Sequence, residues 1–169
     1  MASDVKTRRA SAPAEGAPLE MGFLASSVGY YLKRAYLRVY DDFIVTLADL
    51  QLRPQLLSVL SLIVDNPGII QRALARTLAI ERSNIVLIID DLVARGWVTR
   101  NPVPSDRRAY ALHATPTGRQ QCRIAIGRVI QHEQRMLDSL SESERRELLN
   151  VLDQIGTVEP GGIKIPRGM

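Results

Sequence analysis

At 169 residues the chain can build one domain with a substantial core plus terminal extensions, and it is too short for two full domains of ordinary size. Lysine and arginine number 22 against 18 acidic residues, a formal charge of +4 that favours an anionic partner without demonstrating one. The single cysteine excludes an internal disulfide framework and a cysteine-cluster zinc site, no apolar run approaches the roughly 20 residues that span a bilayer, and no signal-peptide core opens the chain. A reducing cytoplasm is the expected location.

Residues 1–17 are small, polar and proline-bearing and read as a disordered arm; residues 158–169 read as a flexible tail. From Leu19 to about Leu47, apolar residues at Leu24, Val28, Leu32, Ala35, Val39, Phe43 and Leu47 recur at helical spacing and predict one long helix. Tyr30, Tyr31, Tyr36 and Tyr40 widen the stripe, so this helix has two faces to bury, one of them against a second subunit. Residues 18–51 are accordingly assigned to a dimerisation and ligand-pocket helix. Pro54 then opens a helix that the Asn66-Pro67-Gly68 breaker closes.

The segment "IIQRALARTLAIERSNIVLIIDDLVARGW" holds two helical patterns, near 69–78 and 82–95, joined by a tight turn at Leu78-Ala79-Ile80. That is helix-turn-helix spacing. Arg95-Gly96 supplies a basic last turn and a glycine stop. "WVTR" and "AYALHA" read as arms of a β-hairpin, with a loop from Asn101 to Arg108 between them. Thr115-Pro116 starts a helix expected to reach Leu140, and Ser141 to Glu144 forms a capping box for a last helix. The fold class expected is mainly α with a small β-wing: a winged helix-turn-helix over 52–114, closed by dimerisation helices over 115–157.

The second helix of the pair can enter the major groove while the hairpin reaches the neighbouring minor groove. Arg82, Ser83 and Asn84 form its polar leading turn, ahead of a stripe of Ile85, Ile88, Ile89 and Leu92, and are candidates for base-edge or phosphate contact. Gln71 and Arg72, at the start of the first helix of the pair, are candidates for phosphate contact or simply a solvated helix end. In the wing, Arg100, Ser105, Asp106, Arg107 and Arg108 are assigned to DNA, with Asp106 orienting an arginine through a charge-assisted hydrogen bond. Taken alone, Ser105 to Arg108 better suits a solvated turn, and only the helix pair before it turns the reading towards DNA.

Six of the eight tyrosine, phenylalanine and tryptophan residues, Phe23, Tyr30, Tyr31, Tyr36, Tyr40 and Phe43, fall in the first helix. They suit a core and dimer seam, or a pocket for an apolar or aromatic ligand. Tyr31, Arg34, Tyr36, Arg38 and Tyr40 are the ligand candidates, the arginines meeting a carboxylate or phosphate or else pairing with Asp41 or Asp42. Cys122 is either a small buried residue or the centre of a thiol-based redox sensor. His113 and His132 offer no metal-ligand spacing, and no metal, cofactor or nucleophile-base grouping is legible, so an enzyme is not expected. A winged-helix module for protein partners is a further alternative.

The run from Leu52 to about Gly118 resembles the MarR family of transcriptional regulators. The likeness lies in Leu74-Ala75, the "DDLVARGWVTR" exit, the "DRR" wing and the threonine-x-threonine-glycine helix start. Three positions depart from the family pattern: Arg53 where a capping Ser or Thr is common, Ala79 where Gly is common, and Ala114 where Leu is common. The resemblance implies a homodimer on a pseudo-palindromic double-stranded DNA operator, and repression relieved by a small molecule bound between the first helix and the DNA-binding domain. "GFLASSVGYYLKRAYLRVYDDF" is also similar to regulators of aromatic-acid breakdown that answer to hydroxycinnamates or their coenzyme A thioesters.

Overall fold

A computed structural model describes residues 18–103 and 106–156, with backbone alone at 106–109. In chain order the elements are a 3₁₀ turn (Gly22–Ser26), α1 (Val28–Thr46), a second 3₁₀ turn (Ala48–Leu50), α2 (Pro54–Asp65), β1 (Ile69–Ile70), α3 (Gln71–Thr77), α4 (Arg82–Ala94), β2 (Val98–Val103), β3 (Asp106–Ala114), α5 (Pro116–Met136) and α6 (Glu142–Gly156). The fold is mainly helical with one small antiparallel sheet, as expected. The chain divides into two compact units, Met1–Leu37 and Arg38–Met169.

In the first unit the expected single helix is interrupted. Ser27 adopts an extended backbone (φ −82°, ψ 107°) and separates the 3₁₀ turn from α1, so Phe23 and Leu24 do not belong to the helix proper. The Ser27 side chain accepts from the Tyr30 amide, a serine capping bond that favours starting a new helix over continuing the old one.

The core of the second unit is built where the periodicity places it. From α2 come Leu56, Leu57, Val59, Leu60 and Ile63, from α3 Leu74, and from α4 Ile85, Ile89 and Leu92; Val98, Leu112, Cys122 and Ala125 close it from the sheet and α5. Burial of one leucine or isoleucine side chain is worth about 1.5–3 kcal/mol, so these residues fix the helix pair against α2 and α5.

Three boundaries differ from expectation. Ile69 and Ile70 are a strand, not the first turn of a helix: they pair with Leu112 and Ala111, and the Gly68 amide donates to Leu112 O at 2.9 Å. The hairpin loop is far shorter than Asn101–Arg108, because pairing continues through Asn101↔Ala111, Pro102↔Tyr110 and Val103↔Asp106. Pro102 is tolerated there because the strand order β1-β3-β2 leaves β2 at an edge, where a missing amide costs no ladder bond. Helix α5 stops at Met136 rather than Leu140, and the Arg145 guanidinium of α6 donates to the freed Leu137 carbonyl at 2.7 Å.

The turn between α3 and α4 carries a strain. Ala79 sits at φ 50°, a left-handed conformation that costs an L-residue with a Cβ about 1–2 kcal/mol. Ala79→Gly should therefore raise stability, by about 0.5–1 kcal/mol after the unfolded-state entropy of glycine is subtracted, readable as a higher urea midpoint at unchanged slope. Of the other two family departures, Arg53 caps α2 without a side-chain bond, and Ala114 simply pairs with Val98.

Candidate nucleic-acid interface and the neighbouring cleft

Helix α4 begins with no capping side-chain bond, and its first turn exposes Arg82, Ser83 and Asn84. Ile85, Ile89 and Leu92 are fully buried and Ile88 partly so, which turns the polar turn away from the core. The amides of that turn and the partial positive charge of the helix end reinforce Arg82 as an anion-facing surface. Gln71 is half-buried and Arg72 exposed at the start of α3. All five residues thus reach the surface of the second unit at the two helix starts.

The wing is partly accounted for. The Arg100 guanidinium holds Asp90 of α4 at 2.5 Å, so this side chain braces the hairpin against α4. Ser105 and the side chains of Asp106, Arg107 and Arg108 lie outside the described residues, and the expected Asp106–arginine bond with them. At the other end of α4, Arg95 binds Asp91 at 2.7 Å, donates to the carbonyls of Leu50 and Gln51 at 3.1 and 3.3 Å, and stacks over Trp97 at 5.1 Å. The basic last turn expected before Gly96 is therefore a clamp between α4 and the segment that follows α1.

The wing joins α5 through a tight junction. The Thr115 amide donates to Trp97 O at 2.9 Å, its hydroxyl donates to Gly96 O at 2.8 Å, and the same oxygen accepts from the Gly118 amide at 3.0 Å. Gly96, at φ 70°, is the expected glycine stop of α4.

On α1 the five ligand candidates do not converge. Helical spacing puts Tyr31, Arg34 and Arg38 on one side and Tyr36 and Tyr40 on the other. Arg34 donates to the Tyr30 hydroxyl at 3.3 Å and lies 5.6 Å from the centre of that ring. Tyr31 lines a shallow hollow of about 340 Å³ with Ala25, Val28, Leu32 and Ala35. In the second unit, a larger open cleft of about 750 Å³ lies between the end of α1, the start of α2 and the side of α4, with Leu47, Leu52, Leu56 and Ile88 as its apolar walls and Arg53 and Gln55 among its polar ones. Neither Arg38 nor Tyr40, the two candidates in that unit, lines it.

Sequence reading missed a buried histidine paired with a partly exposed aspartate in the second unit. His132 of α5 is 1% exposed, and its Nδ1 meets Asp42 Oδ2 of α1 at 2.5 Å, with Arg135 3.8 Å from the same carboxylate and Phe43 edge-on at 6.2 Å. Asp42 is thereby committed to α5, not to Arg38. Arg128 makes a second link, to Asp49. Cys122 is buried, and burial pushes its thiol up from the ordinary value, so the reactive thiolate is disfavoured and the packing role explains this residue without a redox one. Among the described residues no group of three or more His, Cys, Asp or Glu could hold a metal ion, and no helix is long and apolar enough to cross a membrane.

Residues 50–109 match the MarR family model. Over 151 residues, 89% of this chain and 91% of the relative, the sequence is 32% identical to the proposed transcriptional regulatory protein for the hcr operon of Thauera aromatica. Among solved structures, the transcriptional repressor CouR bound to a 23-mer DNA duplex superposes with a TM-score of 0.79 at 42% identity, covering 82% of this chain and 99% of that one. CouR bound to p-coumaroyl-CoA gives 0.75 at 38%, covering 84% and 100%. The chain belongs to the MarR family. It is a transcriptional regulator of the MarR type and not an enzyme.

MarR proteins are dimers. In this MarR chain, α6 contributes no buried residue, and Leu148, Leu149, Val151, Leu152 and Ile155 are all exposed along it. An isolated amphipathic helix of this length is marginal in water, so that face is made to be covered.

Proposed function

We propose that the chain is a repressor that holds a pseudo-palindromic operator as a homodimer and is released when a small aromatic acid, or its coenzyme A thioester, binds. The observation that carries this reading is the exposed Arg82-Ser83-Asn84 turn, mounted on a fully buried apolar face beside the β2–β3 hairpin. The likeness to CouR, solved on a DNA duplex and on p-coumaroyl-CoA, supports both halves of it. The place of action is the cytoplasm.

In this reading residues 52–114 bind DNA, while 18–51 and 115–157 dimerise. Arg82, Ser83 and Asn84 face base edges, Gln71 and Arg72 face phosphates, and Ser105 to Arg108 reach the minor groove. Arg100 serves the same surface indirectly by neutralising Asp90. The effector acts on α1, through Tyr31, Arg34 and Arg38 on one side or Tyr36 and Tyr40 on the other. It weakens DNA binding only by the difference in its affinity for the bound and released conformations, which for near-complete release amounts to about 5 kcal/mol.

Fluorescence anisotropy on a duplex taken from upstream of the chain's own gene tests this. Wild type should bind it at least about 10³-fold more tightly than random duplex. Arg82→Ala should cost about tenfold. Added p-coumaroyl-CoA should release the duplex where coenzyme A alone does not. Equal affinity for operator and random duplex refutes the reading.

A further inference from the structure

The outward face of α4 is not polar throughout. With Ile85, Ile89 and Leu92 buried, helical spacing directs Ser83, Leu87 and Ala94 to the opposite side, and Leu87 is 66% exposed, with Val86 beside it at 37%. A leucine in that position costs apolar exposure in the free protein, at the centre of the line that begins with Ser83. One turn further on, Asp90 and Asp91 would repel a phosphate backbone, but Arg100 and Arg95 respectively hold them in ion pairs. The surface a groove would meet is therefore a short polar turn, then an apolar step, then a neutralised acidic end.

We infer that Leu87, flanked by Val86, reads the 5-methyl group of a thymine in each operator half-site. This rests on α4 being the helix that enters the major groove. Of the four bases only thymine offers a methyl group there; cytosine presents an amine donor, and the purines present N7 and O6 or N6, all of which a leucine would desolvate without repayment. A leucine consequently selects thymine at its position by attraction to the methyl and by the penalty it places on the other three bases. Arg82 and Asn84, one turn earlier, have polar edges to pair with and need a different base step. Leu87 also stands at the rim of the cleft beside α4, but two-thirds of it remains in water there.

The test uses the operator duplex with each thymine replaced in turn by deoxyuridine, which removes the methyl group and leaves the hydrogen-bonding edges intact. Wild-type full-length protein should lose about fourfold in affinity at one symmetric position of a half-site, and about fifteenfold when both half-sites are replaced. Leu87→Ala, with an unchanged circular dichroism spectrum and dimer mass, should bind the unmodified operator more weakly and be indifferent to uridine at that position alone. Specific binding by wild type with no uridine effect overturns the inference and leaves the operator reading standing. Wild-type uridine sensitivity in Leu87→Ala overturns it too, and assigns Leu87 to the cleft. Absence of any preference for the operator overturns the operator reading and this inference with it.

Discussion

Gly118→Ala should cost about 3 kcal/mol or more, the largest loss expected of a glycine-to-alanine change among the described residues, and lower the melting temperature by about 6–12 °C at fixed protein concentration. A Cβ at this position would lie 2.1 Å from Trp97 O, 2.8 Å from its carbonyl carbon and 3.0 Å from its Cα. The obstruction is backbone, so no rotamer change relieves it. Nor can the Trp97 carbonyl retreat freely, since it accepts from the Thr115 amide at 2.9 Å while the Thr115 hydroxyl holds the neighbouring Gly96 carbonyl. The variant has to lift the first turn of α5 off residue 97, which breaks the Thr115 cap and loosens the seat of Cys122 and Ala125 in the core. A loss within 0.5 kcal/mol of wild type in equilibrium urea unfolding would mean that this junction yields, and that the close approach has no energetic consequence.

That junction also shows how far the sequence could be read. Thr115-Pro116-Thr117-Gly118 is visible as a helix start from its hydroxyl and proline, yet the need for glycine comes from Trp97, which lies far enough along the chain that no local pattern contains it. Elements set by their own periodicity, α2, α4 and α6, are legible because the apolar stripe is written within one helix, buried in α2 and α4 and exposed in α6. Ile69-Ile70 is not, since two apolar residues become a strand only through Ala111 and Leu112, and continuing the helical pattern backwards was the natural error. The wing loop reads too long in the sequence for the same reason: Pro102 looks like a strand terminator until its place at the sheet edge is known.

The functional surface divides along the same line. The Arg82-Ser83-Asn84 turn could be read from sequence because polarity at a helix start and a buried stripe behind it are both local. Leu87 could not be told from the core isoleucines around it, because only the direction in which Ile85, Ile89 and Leu92 are buried turns it outwards. Arg100 looked like a wing contact to DNA until Asp90 was found against it, and His132 looked partnerless with Asp42 90 residues away. On α1 the aromatic count pointed to a pocket, but residue type alone gives no convergence, and the five candidates fall on two sides of the helix.

Leu152→Asp should abolish operator binding while leaving the winged domain folded. Helix α6 starts well: the Ser141 hydroxyl and the Ser141 amide each donate to Glu144 Oε2 at 2.7 Å, and these bonds, the hydroxyl's foremost, hold the Glu144 carboxyl below its ordinary pKa. Capping of this kind is worth about 1 kcal/mol, too little to keep five exposed apolar side chains ordered in water, and in the proposed dimer a second copy of the chain covers them. An aspartate placed within that face must be desolvated on association with no partner charge, a penalty of several kcal/mol in each subunit. The monomer that results still carries α3, α4 and the wing, but the second half-site no longer benefits from the local concentration that linkage provides, worth about 10²–10⁴ in affinity. Analytical ultracentrifugation should show one chain per particle, the circular dichroism spectrum should retain most of its helix signal, and anisotropy should fall to the level of random duplex. A monomer that kept full operator affinity would mean that each half-site is read independently, and that the apolar face of α6 serves something other than the grip on DNA.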